Sequence, residues 1–214
     1  MKRRCSAVTA RVLRGALVFS ALWLYGCGAL LESDPAPDLY SLTPKSTFPE
    51  DLPMADWQLV IEEPVAARGL DTPRIVVRLS PTQLKYAAGS RWSSRAPKMV
   101  QTLIVESFEN SGKIVAIGRQ AIGLRSDYNL KTELREFQVE YDGGGKNGVV
   151  RVRLNAKLIR QPKQDIIASR NFERVVAVEN DSMQAIVDAF DTALGKVMKK
   201  LVEWTLTTPS RGAT

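Results

Sequence analysis

Histidine is absent from the 214 residues. That excludes His-based catalytic triads, imidazole metal ligands and a side chain that switches charge near neutral pH. Cysteine is nearly absent too. Cys5 and Cys27 are the only two, too few for a Cys-rich zinc site or a disulfide framework. No glycine-rich loop has the P-loop spacing between a strand and a helix. The acidic residues are scattered and form no paired carboxylates, and the serines have no histidine base. These absences argue against an enzyme and imply no metal and no cofactor. The charge balance removes a further class. The formal net charge is +7, from 30 basic and 23 acidic side chains. Five of the basic residues (Lys2, Arg3, Arg4, Arg11, Arg14) fall in the first 26 positions, which hold no acid. Without them 25 basic residues face 23 acidic ones, a net of +2. The basicity belongs to the N-terminus, so a nucleic-acid partner is not expected.

What the N-terminus does contain is an export pattern. The basic stretch leads into an apolar run of nine, Ala16–Leu24. A membrane-spanning helix needs about 20 apolar residues to cross roughly 30 Å of hydrocarbon, so this run is too short. Positive charge, a short apolar core and a small residue at its end form a secretory signal. A buried N-terminal helix of the mature fold is the competing reading. Arg3-Arg4 lacks the continuation typical of the twin-arginine route, which favours general secretion. Leu24-Tyr25-Gly26-Cys27 resembles a bacterial lipobox, in which the cysteine thiol takes a lipid and becomes the first mature residue. Gly28 and Ala29 follow it, without the aspartate that retains lipoproteins at the inner membrane in the familiar sorting rule. An outer-membrane address, with the domain on the periplasmic face, is therefore expected. The expected layout is residues 1–26 as signal peptide, 27–39 as lipidated cysteine and tether, 40–207 as the folded domain and 208–214 as a disordered tail. The twelve residues after Cys27 reach at most about 40 Å.

In the folded part, Trp57–Ile61 and Arg74–Leu79 read as strands set off by Pro64 and Pro73. Val150, Val152, Leu154, Ala156 and Leu158 alternate with Arg151, Arg153, Asn155 and Lys157, which marks a strand with one wet face. Strands near 127–141 and 166–178 flank it, joined by a glycine turn at 143–145 and a break at 161–164, to make an antiparallel meander. In the first of these, Tyr128, Leu130 and Leu134 share one parity and Phe137, Val139 and Tyr141 the other. One extra residue near Arg135-Glu136 would bring all six to one face, so a β-bulge is expected there. Glu140 is expected opposite Arg151 and Gln138 opposite Arg153. The arginine row reads better as a solvated face with acidic partners than as an anion platform. Apolar stripes predict helices near 97–111 and 182–205, the first opened by Pro97 and closed by Gly112, the second opened by a capping box of Asp181 and Gln184. With one wet sheet face, both helices fall on the other. The expected fold class is α+β: a two-layer sandwich whose mixed, largely antiparallel sheet carries two helices on one face.

One set of motifs is more specific. Asp38-Leu39-Tyr40-Ser41-Leu42, then Leu70-Asp71-Thr72-Pro73-Arg74-Ile75, then Tyr86 through Arg91-Trp92, then Asp127-Tyr128-Asn129-Leu130 leading to Glu133, Leu134 and Phe137, follow a lipobox in order. In that order they resemble the ABC-type transport auxiliary lipoproteins, the family that includes the lipoprotein of the paraquat-inducible system. The resemblance spans residues 38–205. It implies a domain shaped like the amino-terminal domain of the Tol-system propeller protein. It also implies partnership with mammalian-cell-entry (MCE) domain proteins and their ABC permease and ATPase, which move lipids or other hydrophobic compounds between membranes. The expected site residues are Cys27 of the lipobox for lipidation and Tyr86, Arg91 and Trp92 as candidates for partner binding; for Trp92 a place in the core is the favoured reading and an interface contact the alternative. A homo-oligomer is compatible. The alternatives are a stand-alone periplasmic lipid-binding carrier and a structural envelope tether.

Overall fold

The computed structural model of the chain describes residues 35–119, 126–141 and 148–209, and the folded unit begins at Pro37. The signal segment, Cys27, the glycine turn at 143–145 and residues 210–214 lie outside the described residues. In chain order the elements are β1 (Asp38–Tyr40), β2 (Leu59–Ile61), β3 (Val65–Ala66), β4 (Arg74–Ser80) and β5 (Gln83–Trp92). They continue with α1 (Ala96–Asn110), β6 (Ile117–Arg119), β7 (Tyr128–Glu140), β8 (Val149–Arg160), β9 (Asp165–Ala177) and α2 (Met183–Thr207).

All the strands join one sheet organised on β7. One edge of β7 pairs antiparallel with β8, and β8 pairs antiparallel with β9. This is the expected meander. The other edge of β7 takes three short parallel partners in succession: β2 beside Tyr128–Leu130, β3 beside Glu133–Leu134 and β4 beside Val139–Glu140. Pro64 and Pro73, which cannot donate to a ladder, fall between these pieces. From β4 the sheet continues antiparallel to β5, with β1 parallel on its far edge; β6 lies parallel beside β2.

The bulge lies where the parity of β7 changes. Leu134 pairs with Leu154 and Glu136 with Arg153, which leaves Arg135 as the extra residue. Leu130, Leu134, Phe137 and Val139 are consequently all buried, and Tyr128 and Tyr141 pack against the same core. The register differs from the expected one by two residues. Arg151 stands opposite Gln138, Arg153 opposite Glu136, and Glu140 opposite Val149. A slip of two returns every side chain to its own face, so the apolar pattern does not distinguish the two registers.

Both helices pack on the apolar face and touch each other, Ser107 Oγ lying 3.4 Å from Met198 Sδ. α1 rests against β2 and β6, and α2 against β8 and β9. Their stripes join Val150, Val152, Leu154, Ala156 and Leu158 in one core cluster. At its centre Trp92, Phe137 and Phe190 meet, with ring centroids 4.8 to 5.6 Å apart. Pro97 lies in the first turn of α1 and Gly112, at φ 62°, follows its end. The cap of α2 is a correction: Ser182, not Asp181, accepts the hydrogen bond, from the Ala185 N–H at 3.2 Å. Gln184 instead donates to Asp188 at 2.8 Å. Thr208, assigned above to the tail, closes α2 by donating its hydroxyl to the Trp204 carbonyl.

Deleting Arg135 removes the bulge and turns Phe137 and Val139 to the wet face. Burial of each such side chain contributes about 1.5–3 kcal/mol, so the deletion variant should lose at least about 3 kcal/mol or fail to fold. Urea unfolding checks this, and an unchanged midpoint would mean that the bulge carries no structural role.

Candidate functional site

The three candidate partner residues lie on β5, where neighbours in the chain turn to opposite faces at Arg91 and Trp92 and a register irregularity lies between them and Tyr86. Trp92 turns inward. It is 1% exposed and stands edge-on to Phe190, so a partner cannot reach it, and its assignment as a binding residue is corrected to that of a core residue. Arg91 turns outward and is exposed. It sits between Arg74 of β4 and Leu39 of β1 in the register of the sheet. Tyr86 is half-buried, with the Arg74 guanidinium 3.6 Å above its ring, a cation–π contact. The surface left to a partner at this corner is Arg91, Arg74 and the rim of Tyr86.

The motif residues around this corner work as a latch. The Pro73 carbonyl accepts from the Trp92 N–H at 2.7 Å, and the Thr72 carbonyl from the Ala96 N–H at 3.1 Å. The Asp71 carboxylate pairs with Arg95, which also holds Glu63. The segment Leu70–Ile75 thus ties the end of β5 and the start of α1 to the start of β4.

The wet face of the sheet holds a second candidate. The bulge aims Glu136, Gln138 and Glu140 outward from β7, toward Arg151 and Arg153 of β8. Arg153 pairs with Glu136; Arg151 reaches Glu140 at 3.1 Å, Glu136 at 3.3 Å and also Glu173 of β9. Arg78 of β4 closes on Glu140 at 3.7 Å. Gln138 is fully buried between the acids and donates to Glu140 at 2.9 Å and Glu136 at 3.3 Å. Hydrogen bonds to Glu173 and then Glu140 hold the Arg151 guanidinium above its ordinary pKa, against an opposing effect of burial. With Ser80, Pro81 and Tyr141 the arginines and glutamates line an open cavity of about 340 Å³. Three arginines meet three glutamates there, so the formal charge cancels. The arginine row is a paired ionic lattice, as its acidic neighbours suggested, and not an open anion platform. Such a cavity can hold a polar group by hydrogen bonding, and it supplies no uncompensated charge to attract an ion.

Cys27 lies outside the described residues.

Trp92→Ala should cost about 3–5 kcal/mol of stability, whereas Arg91→Glu, on the exposed corner, should stay within about 0.5 kcal/mol. Urea unfolding of both variants checks the assignment, and equal costs would overturn it. The second expectation concerns pH. Burial, and secondarily the charge of Asp181, holds the Tyr141 phenol above its ordinary value of 10.0. The fold thus prefers the neutral phenol. Its contribution is complete below the unfolded value and is lost as pH rises through the raised one. Stability measured from about pH 9 upward should fall less steeply in Tyr141→Phe than in the parent chain.

Comparison with known proteins agrees with this geometry. The sequence model of the ABC-type transport auxiliary lipoprotein component matches residues 40–202. A crystal structure of a protein from Xanthomonas campestris is 36% identical with a TM-score of 0.76, covering 81% of this chain and 97% of that one. A second solved, uncharacterized protein shares the fold at 17% identity and a TM-score of 0.56, over 84% of this chain and all of that one. An uncharacterized protein of Bradyrhizobium diazoefficiens is 30% identical over 148 residues, 69% of this chain; the chain spans only 39% of that relative's length. Since the family match takes in the β1–β5 corner, the bulged meander and most of α2, the chain belongs to the ABC-type transport auxiliary lipoprotein family.

Proposed function

We propose that the protein is an outer-membrane-anchored periplasmic lipoprotein and a non-catalytic accessory subunit of an ABC/MCE-type system that moves lipids or other hydrophobic compounds between the inner and outer membranes. The family match over residues 40–202 carries this reading. The N-terminus supports the anchor: a short apolar run ends at Gly26-Cys27, and Gly28 and Ala29 follow without a retention aspartate. In this reading residues 1–26 are removed, Cys27 carries the lipid and the tether runs from it only as far as residue 36, because Asp38 and Leu39, expected above to belong to the tether, are already paired with β5 in the sheet. The partners are an MCE-domain protein with its permease and ATPase, engaged through the protein's outer surface. The neutral ionic lattice of the sheet supports a polar protein contact better than a grip on an apolar cargo.

Cys27→Ala removes the thiol that takes the lipid, and Cys5 is discarded with the signal. More than one acyl chain is needed for firm anchoring, at about 0.8 kcal/mol per buried methylene. The remaining charge of +2 offers little non-specific electrostatic hold, and a reversible headgroup contact without an inserted chain does not survive fractionation. The variant should lose radiolabelled palmitate and leave the outer-membrane fraction, either soluble or as an uncleaved precursor, with its fold intact. Undiminished label would end the lipoprotein assignment. The parent chain should co-isolate with an MCE-domain protein. Recovery with peptidoglycan fragments alone would point to an envelope tether instead.

A further inference from the structure

A second cavity, of about 470 Å³, lies between the segment that follows β1 and the outer side of α2. Its walls are built firmly. Asp191 accepts from the Thr43 N–H at 2.7 Å and from the Thr43 hydroxyl at 2.9 Å. The Lys45 N–H donates to Ser107 Oγ at 2.9 Å, and Asn110 donates to the Lys45 carbonyl at 3.1 Å. Hydrogen bonds from both helices thus hold residues 43–45 in place. On α2, Asp191, Gly195 and Lys199 succeed one another at intervals of four and share one face, with Lys196 beside them.

The charge of this groove is unbalanced. Three lysines, Lys45, Lys196 and Lys199, face one aspartate, and that aspartate already binds Thr43. The amines of Lys45 and Lys196 have no ion-pair or hydrogen-bond partner among the described residues. Lys199 reaches Glu203 only at 4.0 Å. This is the opposite of the lattice on the sheet face, where every arginine has its acid. Gly195 adds a second, independent observation. Glycine inside a helix lowers its stability, and tight packing does not require it here, because an added Cβ would meet nothing within 4 Å. What the missing side chain does is leave the middle of the groove bare between Asp191 and Lys199. Thr192 and Ser46 also line the groove, and a hydroxyl can donate a hydrogen bond.

We propose that this groove binds the phosphate of an anionic phospholipid headgroup, held by Lys45, Lys196 and Lys199. Lysine binds phosphate as a point charge, and the cavity leaves room for the group that the phosphate carries. The site itself follows from the groove. The choice of a lipid over a free phosphate ester rests on the anchored reading above: residues 43–46 begin three residues after β1, close to the tether and so within its reach of a bilayer.

The test uses residues 28–214, which contain the whole folded unit, so that neither the covalent lipid nor the basic, apolar signal segment itself holds the protein on vesicles. Binding is measured to phosphatidylcholine vesicles with and without phosphatidylglycerol, and by calorimetry to glycerol 3-phosphate and to inorganic phosphate. The expected result is binding to the phosphatidylglycerol vesicles, weakened about tenfold or more by Lys45→Glu with Lys196→Glu. Gly195→Glu should do the same while raising helix propensity, which separates loss of the site from loss of the fold. Binding to glycerol 3-phosphate without binding to vesicles would overturn the lipid source. Equal binding by the parent and both variants, or no binding to any probe, would overturn the site. Because the readout is binding by the purified chain, it is separate from whether an MCE-domain protein co-isolates.

Discussion

A single extra residue, Arg135, decides which way the second half of β7 faces. Before it, Leu130 and Leu134 point to the helices; after it, Phe137 and Val139 do. The core and the outer face both depend on this inversion. Phe137 completes the aromatic contact with Trp92 and Phe190 that joins β5, β7 and α2. Glu136, Gln138 and Glu140, by the same rotation, meet the arginines of β8 and β4. A flat strand would place charged side chains in the core, at a cost of several kcal/mol, and Phe137 and Val139 in water, at about 1.5–3 kcal/mol each.

The two polar regions of the surface differ in how their charge is balanced, and that difference separates structure from recognition. On the sheet face the arginines are surrounded by glutamates and by a buried glutamine that bridges two of them. Charges so arranged strengthen one another and fix the register of β7 against β8. In the groove beside α2 Lys45 and Lys196 have no such partner among the described residues and Lys199 reaches Glu203 only at 4.0 Å, while the one acid lining the groove, Asp191, is engaged by the backbone and hydroxyl of Thr43. A paired lattice holds elements together; unpaired cations around a preformed cavity leave attraction for an external anion.

Two of the motifs read along the chain meet in the latch at the β5 corner. Carbonyls of Thr72 and Pro73 receive the N–H groups of Ala96 and Trp92, so two stretches far apart in sequence form one structural device. Trp92 therefore serves the fold, and the surface available to a transporter partner at this corner is carried by its neighbours Arg91 and Arg74.

The sequence by itself determined the elements with strong local periodicity. The alternation in Val150–Leu158, the parity change in β7, the two helical stripes, and Pro97 and Gly112 at the ends of α1 each reflect a local rule of side-chain spacing or backbone conformation. It also determined the class of fold, because one wet strand face leaves only one side for two helices. Only the tertiary structure decided the rest. The register of β7 on β8 was undetermined because a shift of two residues preserves every face. The cap of α2 moved from Asp181 to Ser182 because the two lie side by side and only backbone geometry selects between them. β1, β3 and β6 are two or three residues long, and β5 contains Ala87, Ala88 and Gly89, so none carries a periodic signal; they are strands because β5, β7, β2 and β4 respectively supply edges to pair with. The groove had no sequence signature at all, since Lys45 and Lys196 lie 151 positions apart and are brought together only when Thr43 docks on Asp191.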